Sequence, residues 1–245
     1  KLVSVGVFGL NLHAYMDQYD YHKEYLIENP EKYCEYDIQT KQLQYLIMSI
    51  DGLCDLKGSK NYVLKKAYKQ FSKAVGELYE FLHIFKSDLK NIEIDRKENK
   101  DFWLCDLIMV YDDYKVHAEF ESTGIKKLIR LFTYLQKMVR GEIVFIDEFD
   151  SNLHDVYLCA ILEYLMEHGK GQLCFTTHNV GPMDVLRRRK KSIDFLSENH
   201  KIYAWTANGN YSPAKLYRNG MIEGSPFNVD SIDFIGVFDS GEEDE

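Results

Sequence analysis

Leu64, Tyr68, Phe71, Val75, Leu78, Leu82 and Phe85 recur at three- and four-residue steps, the spacing of one apolar face on an α-helix. The stripe predicts one long amphipathic helix over 59–87, with Lys65, Lys66, Lys69 and Lys73 mostly on its other faces. A shorter helix is expected over 39–52, stopped by Gly52 and the turn-like KGSKN. ENPEKYCEYD reads as a loop, because Pro30 follows a helix-stopping Asn. From residue 88 the period shortens. KNIEIDRKENKDFWLCDLIMVYDDYKVHAEF alternates or runs apolar between polar DRKENKD and DDYK, which predicts two or three strands of a small antiparallel sheet.

After ESTG the helical period returns. Ile125, Leu128, Phe132, Leu135 and Val139 mark the inward face of a helix over 123–139. A strand at 143–147, a helix near 155–168 and a strand from Gln172 to Thr176 follow. A short helix at 182–189 and strands at 192–196 and 201–206 come next. Ile143, Val144, Phe145 and Ile146 read as a strand buried on both faces, as a central parallel strand is. Alternating strand and helix from 121 onward predicts an α/β layer with parallel strands. The chain therefore divides into a helical arm over 1–87, an α/β part over 88–235 and an acidic tail over 236–245 that ends in GEEDE.

Composition narrows the class only a little. Hydrophobic residues at 45% and charged residues at 28% suit a globular protein, and no run approaches the ~20 apolar residues of a membrane span. The five cysteines (Cys34, Cys54, Cys105, Cys159, Cys174) are odd in number and have no CxxC spacing. They are expected to be reduced core residues of a cytoplasmic protein. A net charge of -9 does not indicate a nucleic-acid-coating surface, which leaves only a local patch such as RRRKK at 187–191. The chain starts at Lys1 without an initiating Met or a cleavage-site pattern, and a start inside a longer protein is expected.

The chemistry concentrates at GEIVFIDEFDSNLH, residues 141–154, which puts Asp147, Glu148 and Asp150 at the end of an apolar strand. Three carboxylates at such an edge call for a metal, a cation or water. The bland alternative is an acidic cap for the next helix. Two neighbours weigh against that alternative. FTTHN at 175–179 ends the next strand with His178, at the edge where open parallel sheets bind ligands. In ESTGIKKL at 121–128, Ser122 and Thr123 cap a helix and Gly124 lets another backbone approach. The first turn of that helix is a ready anion site.

In this order and spacing the three stretches resemble the C-terminal half of an ATP-binding-cassette-type ATPase. The likeness is greatest to the SMC-like and overcoming-lysogeny-defect (OLD) group of soluble heads, many of them in bacterial defence systems. ESTGI stands where the LSGGQ signature would be, VFIDE resembles the Walker B strand, DSNLH the D-loop and TTHN the H-loop. The likeness covers roughly residues 88–220. It departs from the transporter pattern at Glu121, Thr123, Phe149 and His154, all of which suit soluble defence-type heads.

The resemblance implies an α/β, ABC-type P-loop ATPase head preceded by a helical insertion, acting on ATP with Mg²⁺. Asp147 is then expected to hold the metal through a water, Glu148 to orient or deprotonate the attacking water, and His178 to contact the γ-phosphate. Asp150, Ser151 and Asn152 are expected between two heads. Ser122 and Gly124 are expected on the γ-phosphate held by a second copy, so that ATP closes a head-to-head dimer. A nuclease or toxin effector is the expected further partner, with no membrane involved. GLCDLKGSK at 52–60 is no phosphate loop, since five residues separate its glycines and Ser precedes Lys; the cradle is expected upstream. Two other readings stay open: a metal-dependent nuclease subunit using Asp147 and Asp150, and a non-hydrolysing regulatory or nucleic-acid-binding head.

Overall fold

The computed structural model describes residues 12–16, 56–99, 102–196, 200–205 and 212–222. The helix expected over 39–52, the 28–37 loop, Cys34, Cys54 and the acidic tail lie outside them. The described residues fall into two units, 1–178 and 179–245.

The first unit contains two sheets. One is a three-stranded parallel sheet of β1 (Leu12–Tyr15), β6 (Ile143–Ile146) and β7 (Gln172–Phe175), in the order β1-β6-β7. The other is antiparallel: β2 (Lys60–Leu64), β3 (Asn91–Asn99), β4 (Phe102–Val110) and β5 (Lys115–His117). β4 pairs along its whole length with β3 and presents its other edge to β2 and then β5. The helices of this unit are α1 (Tyr68–Phe85), α2 (Thr123–Arg140) and α3 (Asp155–His168).

In the first unit four sequence expectations need correction. The helix over 59–87 begins only at Tyr68, after a 3-10 turn at Lys65–Ala67, and residues 60–64 are a strand. Leu64 fits the helical stripe, but Asn61 and Val63 are buried at strand spacing. Asn61 shapes the turn before them: its side chain accepts from Lys57 N at 2.8 Å and donates to Gly58 O at 3.0 Å. Second, the start of the chain contributes β1, a parallel strand beside β6. Third, β6 buries Val144 and Ile146 on one face, while Phe145 on the other is 40% exposed. The run of four apolar residues hid an ordinary period of two. Fourth, of the three described cysteines only Cys105 is fully buried.

α2 has the clearest ends of any helix here. The Ser122 hydroxyl accepts from Ile125 N at 3.3 Å, and Gly141 closes the helix at φ 111°. Glu142 N then reaches back to Lys137 O at 3.1 Å and Gly141 N to Met138 O at 3.2 Å, a Schellman-type stop. Leu128, Leu131, Phe132 and Leu135 of α2 are buried, with Val144 and Ile146 of β6. They form the core that fixes where β6 ends.

In the second unit, α4 (Gly181–Val185) is followed by two 3-10 turns over Leu186–Ser192. β8 (Asp194–Leu196), β9 (Ile202–Ala204) and α5 (Pro213–Arg218) complete it. Ile193, Phe195 and Trp205 form its core, and the ring of Tyr217 stacks on Phe195 with centroids 5.6 Å apart. β8 and β9 pair antiparallel, against the expectation of parallel strands. Leu196 and Ile202 lie too close in sequence for the crossover of a dozen or so residues that a parallel pair requires.

Candidate functional site

β1, β6 and β7 run in the same direction and end in register: Tyr15 stands beside Ile146, and Ile146 beside Phe175. The chain leaves β6 into Asp147–Leu153 and leaves β7 into Thr176–His178 at one shared edge. Backbone bonds extend the pairing past the strands. Asp147 N donates to Tyr15 O at 3.0 Å, Thr176 N to Ile146 O at 3.0 Å and Phe149 N to Thr176 O at 2.9 Å.

Three features give the 147–153 loop its shape. Phe149 is fully buried and meets Phe175 edge-on at 5.5 Å, so the loop is pinned by an aromatic anchor. Glu148 and Asn152 adopt left-handed backbone, with φ of 47° and 59°. Such a conformation costs of order 1–3 kcal/mol for a residue other than glycine and persists only where its surroundings enforce it. Side-chain bonds supply the enforcement. The Thr176 hydroxyl donates to Asp147 Oδ1 at 2.6 Å and accepts from Glu148 N at 2.8 Å. Asp150 Oδ1 accepts from His178 N at 3.3 Å. Asp147, Glu148 and His178 are solvent-exposed at this edge.

Asp150, Ser151 and Asn152 do not cap the next helix. The residue before α3 is His154, which makes no side-chain cap bond. This removes the bland reading of the DSN stretch and leaves Asp150 tied to the β7 side of the site.

α2 approaches the same loop from its N-terminal turn. A Cβ added to Gly124 would stand 2.7 Å from Asn152 O, so the backbone that comes close to this glycine belongs to the acidic loop. One turn along, Lys127 is fully buried. Its ammonium donates to Glu148 O and to Ser151 Oγ, both at 2.7 Å, and lies 5.5 Å from the centroid of the Tyr15 ring. Sequence reasoning missed Lys127 because a lysine beside Lys126 reads as solvated surface. The signal that could have found it is the spacing Gly124, Lys127, Leu131, which puts the ammonium on the face carrying the close-approach glycine.

The loop before α2 is fixed separately. The Glu121 carboxylate, 7% exposed, accepts from the Tyr111 hydroxyl and has Lys86 Nζ at 4.0 Å. Burial, then the Glu121 hydrogen bond and charge, push the Tyr111 phenol well above its ordinary pKa. Lys86 also lies over the Tyr111 ring, 4.9 Å from its centroid. The end of α1, the end of β4 and the ESTG stretch thus meet at Glu121.

All eight residues singled out from the sequence lie on the loop after β6, the turn after β7 or the first turn of α2. Direct contacts join seven of them into one neighbourhood: Asp147, Glu148, Asp150 and His178 at the strand edge, Ser151 through Lys127, and Gly124 against Asn152. Ser122 caps the helix that carries Gly124 and Lys127. The donors offered are carboxylates and hydroxyls, the hard oxygens that suit Mg²⁺. Among the described residues no group of three or more His, Cys, Asp or Glu side chains is placed to hold a metal ion. A magnesium ion here would draw most of its oxygens from phosphate and water, as it does in nucleotide sites.

Residues 70–184 match the model of a family described as AAA domain, putative AbiEii toxin, Type IV TA system. The matched segment contains α2, the 147–153 loop and the turn after β7, so it spans every candidate site residue. Over this segment the chain is similar to an AAA-type ATPase domain. No curated protein matches the chain. No helix among the described residues is long and apolar enough to cross a membrane.

Proposed function

We propose that this chain forms the signature, Walker B, D-loop and H-loop half of an ABC-type head that hydrolyses Mg²⁺-bound ATP. Thr176 carries the reading: one hydroxyl joins the Asp147 carboxylate to the Glu148 amide, holding both acidic residues on the edge that His178 shares. Asp147 would hold the metal, which when bound neutralises charge on the terminal phosphates. Glu148, exposed and held by its backbone, orients or deprotonates the attacking water. His178 contacts the γ-phosphate from the neighbouring strand end.

Ser122 and Gly124 at the start of α2, with Asp150, Ser151 and Asn152, then face a second copy of the head, and ATP closes the pair. The helix N-terminus supplies amide groups and a favourable dipole for the partner's phosphate. The SMC-like and OLD-like placement rests on ESTG and on the DEFDSNLH run. The family description names a toxin of a type IV system, which agrees with a cytoplasmic head that governs a nuclease or toxin effector in anti-phage defence.

The test is Glu148→Gln in the full-length protein with ATP and Mg²⁺. Turnover should fall by at least ~100-fold, the scale of lost general-base catalysis, with ATP retained on a dimer resolved by light scattering. Unchanged ATP turnover together with loss of metal-dependent DNA cleavage would instead establish the nuclease reading.

A further inference from the structure

The buried ammonium of Lys127 links α2 to the acidic loop from inside the first unit. We infer that Lys127 is a positioning residue: it locks the left-handed turn at Glu148 and makes the first turns of α2 and the 147–153 loop a single rigid element.

Three observations carry this. Lys127 is fully buried, so its charge requires fixed partners. Two of those partners, Glu148 O and Ser151 Oγ, bracket the turn, and both lie at 2.7 Å. Glu148 O also accepts from Ser151 N at 3.0 Å, so the ammonium caps a carbonyl already used to close the turn. Gly124, on the same face of α2, adds a steric contact with Asn152 O. A rotation or slide of α2 therefore cannot leave Glu148 where it is. The residues proposed to face the second copy sit on this helix and this loop. Docking of that copy would then be felt at the Glu148 backbone through Lys127. The kinetic consequence rests on the ATPase reading above; the mechanical claim does not.

The experiment uses Lys127→Met, which keeps the aliphatic stem, and Ser151→Ala, which leaves the lysine its carbonyl. The first readout is amide hydrogen exchange in the full-length protein without nucleotide. Lys127→Met should speed exchange at Ser151 and Leu153 by at least tenfold, while Leu162 and Leu165 in α3 stay protected. Ser151→Ala should give a smaller change at the same two amides. The second readout is steady-state ATP hydrolysis. Lys127→Met should lower kcat by tenfold or more with KM for ATP within about twofold, the split expected when positioning is lost but binding is kept. Unchanged exchange at Ser151 and Leu153 in both variants overturns the inference. Exchange that rises across α2 and α3 alike also overturns it, since Lys127 would then be a general core residue. Faster loop exchange in a protein whose ATP turnover ignores Glu148→Gln leaves the lock standing and removes the ATPase reading.

Discussion

Thr176 uses its only side-chain donor on Asp147 Oδ1 and accepts from the Glu148 amide, so one side chain just past β7 satisfies two consecutive residues beyond β6. The bond crosses the strand pair at the point where the ladder ends and irregular backbone begins. Without it, the left-handed turn at Glu148 would rest on Lys127, on the Asp150–His178 bond and on main-chain bonds.

Thr176→Val keeps the shape of the side chain and removes both bonds. A net hydrogen bond is worth about 0.5–1.5 kcal/mol, so stability should drop by about 1–2 kcal/mol, read from urea unfolding. ATP turnover should fall about tenfold or more if the lost bonds orient Glu148 in the transition state, since each 1.4 kcal/mol is a factor of ten. Thr176→Ser, which retains the hydroxyl, should stay close to wild type in both measurements. Equal losses in the two variants would show that the methyl group, not the hydroxyl, matters.

Gly124→Ala tests the contact between α2 and the loop. The added methyl meets a backbone oxygen at 2.7 Å, and a carbonyl cannot rotate away as a flexible side chain can. Alanine is otherwise the better helix former by about 0.8–1.0 kcal/mol, so an exposed helical glycine would be stabilised by the change. Overpacking of this kind costs typically 1–3 kcal/mol, and the clash should win. Gly76 in α1 is the control, with nothing within 4 Å of its added Cβ. Gly76→Ala should raise the urea midpoint while Gly124→Ala lowers it. A rise in both would show that the loop yields freely.

Much of this organisation could be read in the sequence, and the failures share a physical cause. α2, α3 and the hairpin of β3 and β4 are long enough for their periods to stand out. β6 and β7 are short, but Gly, Asp and Thr punctuate them. β1 and β2, at four and five residues, gain their stability from partners far away in sequence, Ile143–Ile146 and Phe102–Asp106. No local pattern carries that information. Lys127 was invisible for a related reason. Its place inside depends on Glu148 O and Ser151 Oγ, which approach only once the parallel strands are assembled. The placement of Asp147, Glu148 and His178 at strand ends was legible because each follows an apolar run that stops abruptly, and β6 and β7 bring those ends to one edge.

Tyr111 and Glu121 predict a pH dependence. The folded protein raises the Tyr111 pKa, by burial first and by the Glu121 carboxylate second, relative to an unfolded value near ~10. The folded state therefore favours the neutral phenol. Its contribution to stability is fully present below about pH 10 and is lost as pH rises through the folded value, because the unfolded chain ionises first. Tyr111→Phe should cost about 1.5–3 kcal/mol at pH 8, the range for a hydrogen bond to a charged group. It should then show a shallower fall between pH 9 and 11 than wild type. Parallel curves for the two proteins would mean that this phenol titrates alike in both states.

Cys105 offers a chemical test of the antiparallel sheet. It is fully buried on β4, and desolvation raises its thiol pKa to about 11. At pH 8 its thiolate fraction is then roughly 0.1%, against roughly a quarter for an unperturbed thiol of pKa ≈ 8.5. Cys159 and Cys174 are only partly buried. Iodoacetamide at pH 8, followed by peptide mass spectrometry, should therefore modify Cys159 and Cys174 well before Cys105 in the folded protein. In 8 M urea, where burial is lost, the three should react at similar rates. Early modification of Cys105 under native conditions would mean that β4 opens to solvent on the labelling timescale. That would undercut the sheet that holds Tyr111 against Glu121 and, through it, the start of α2.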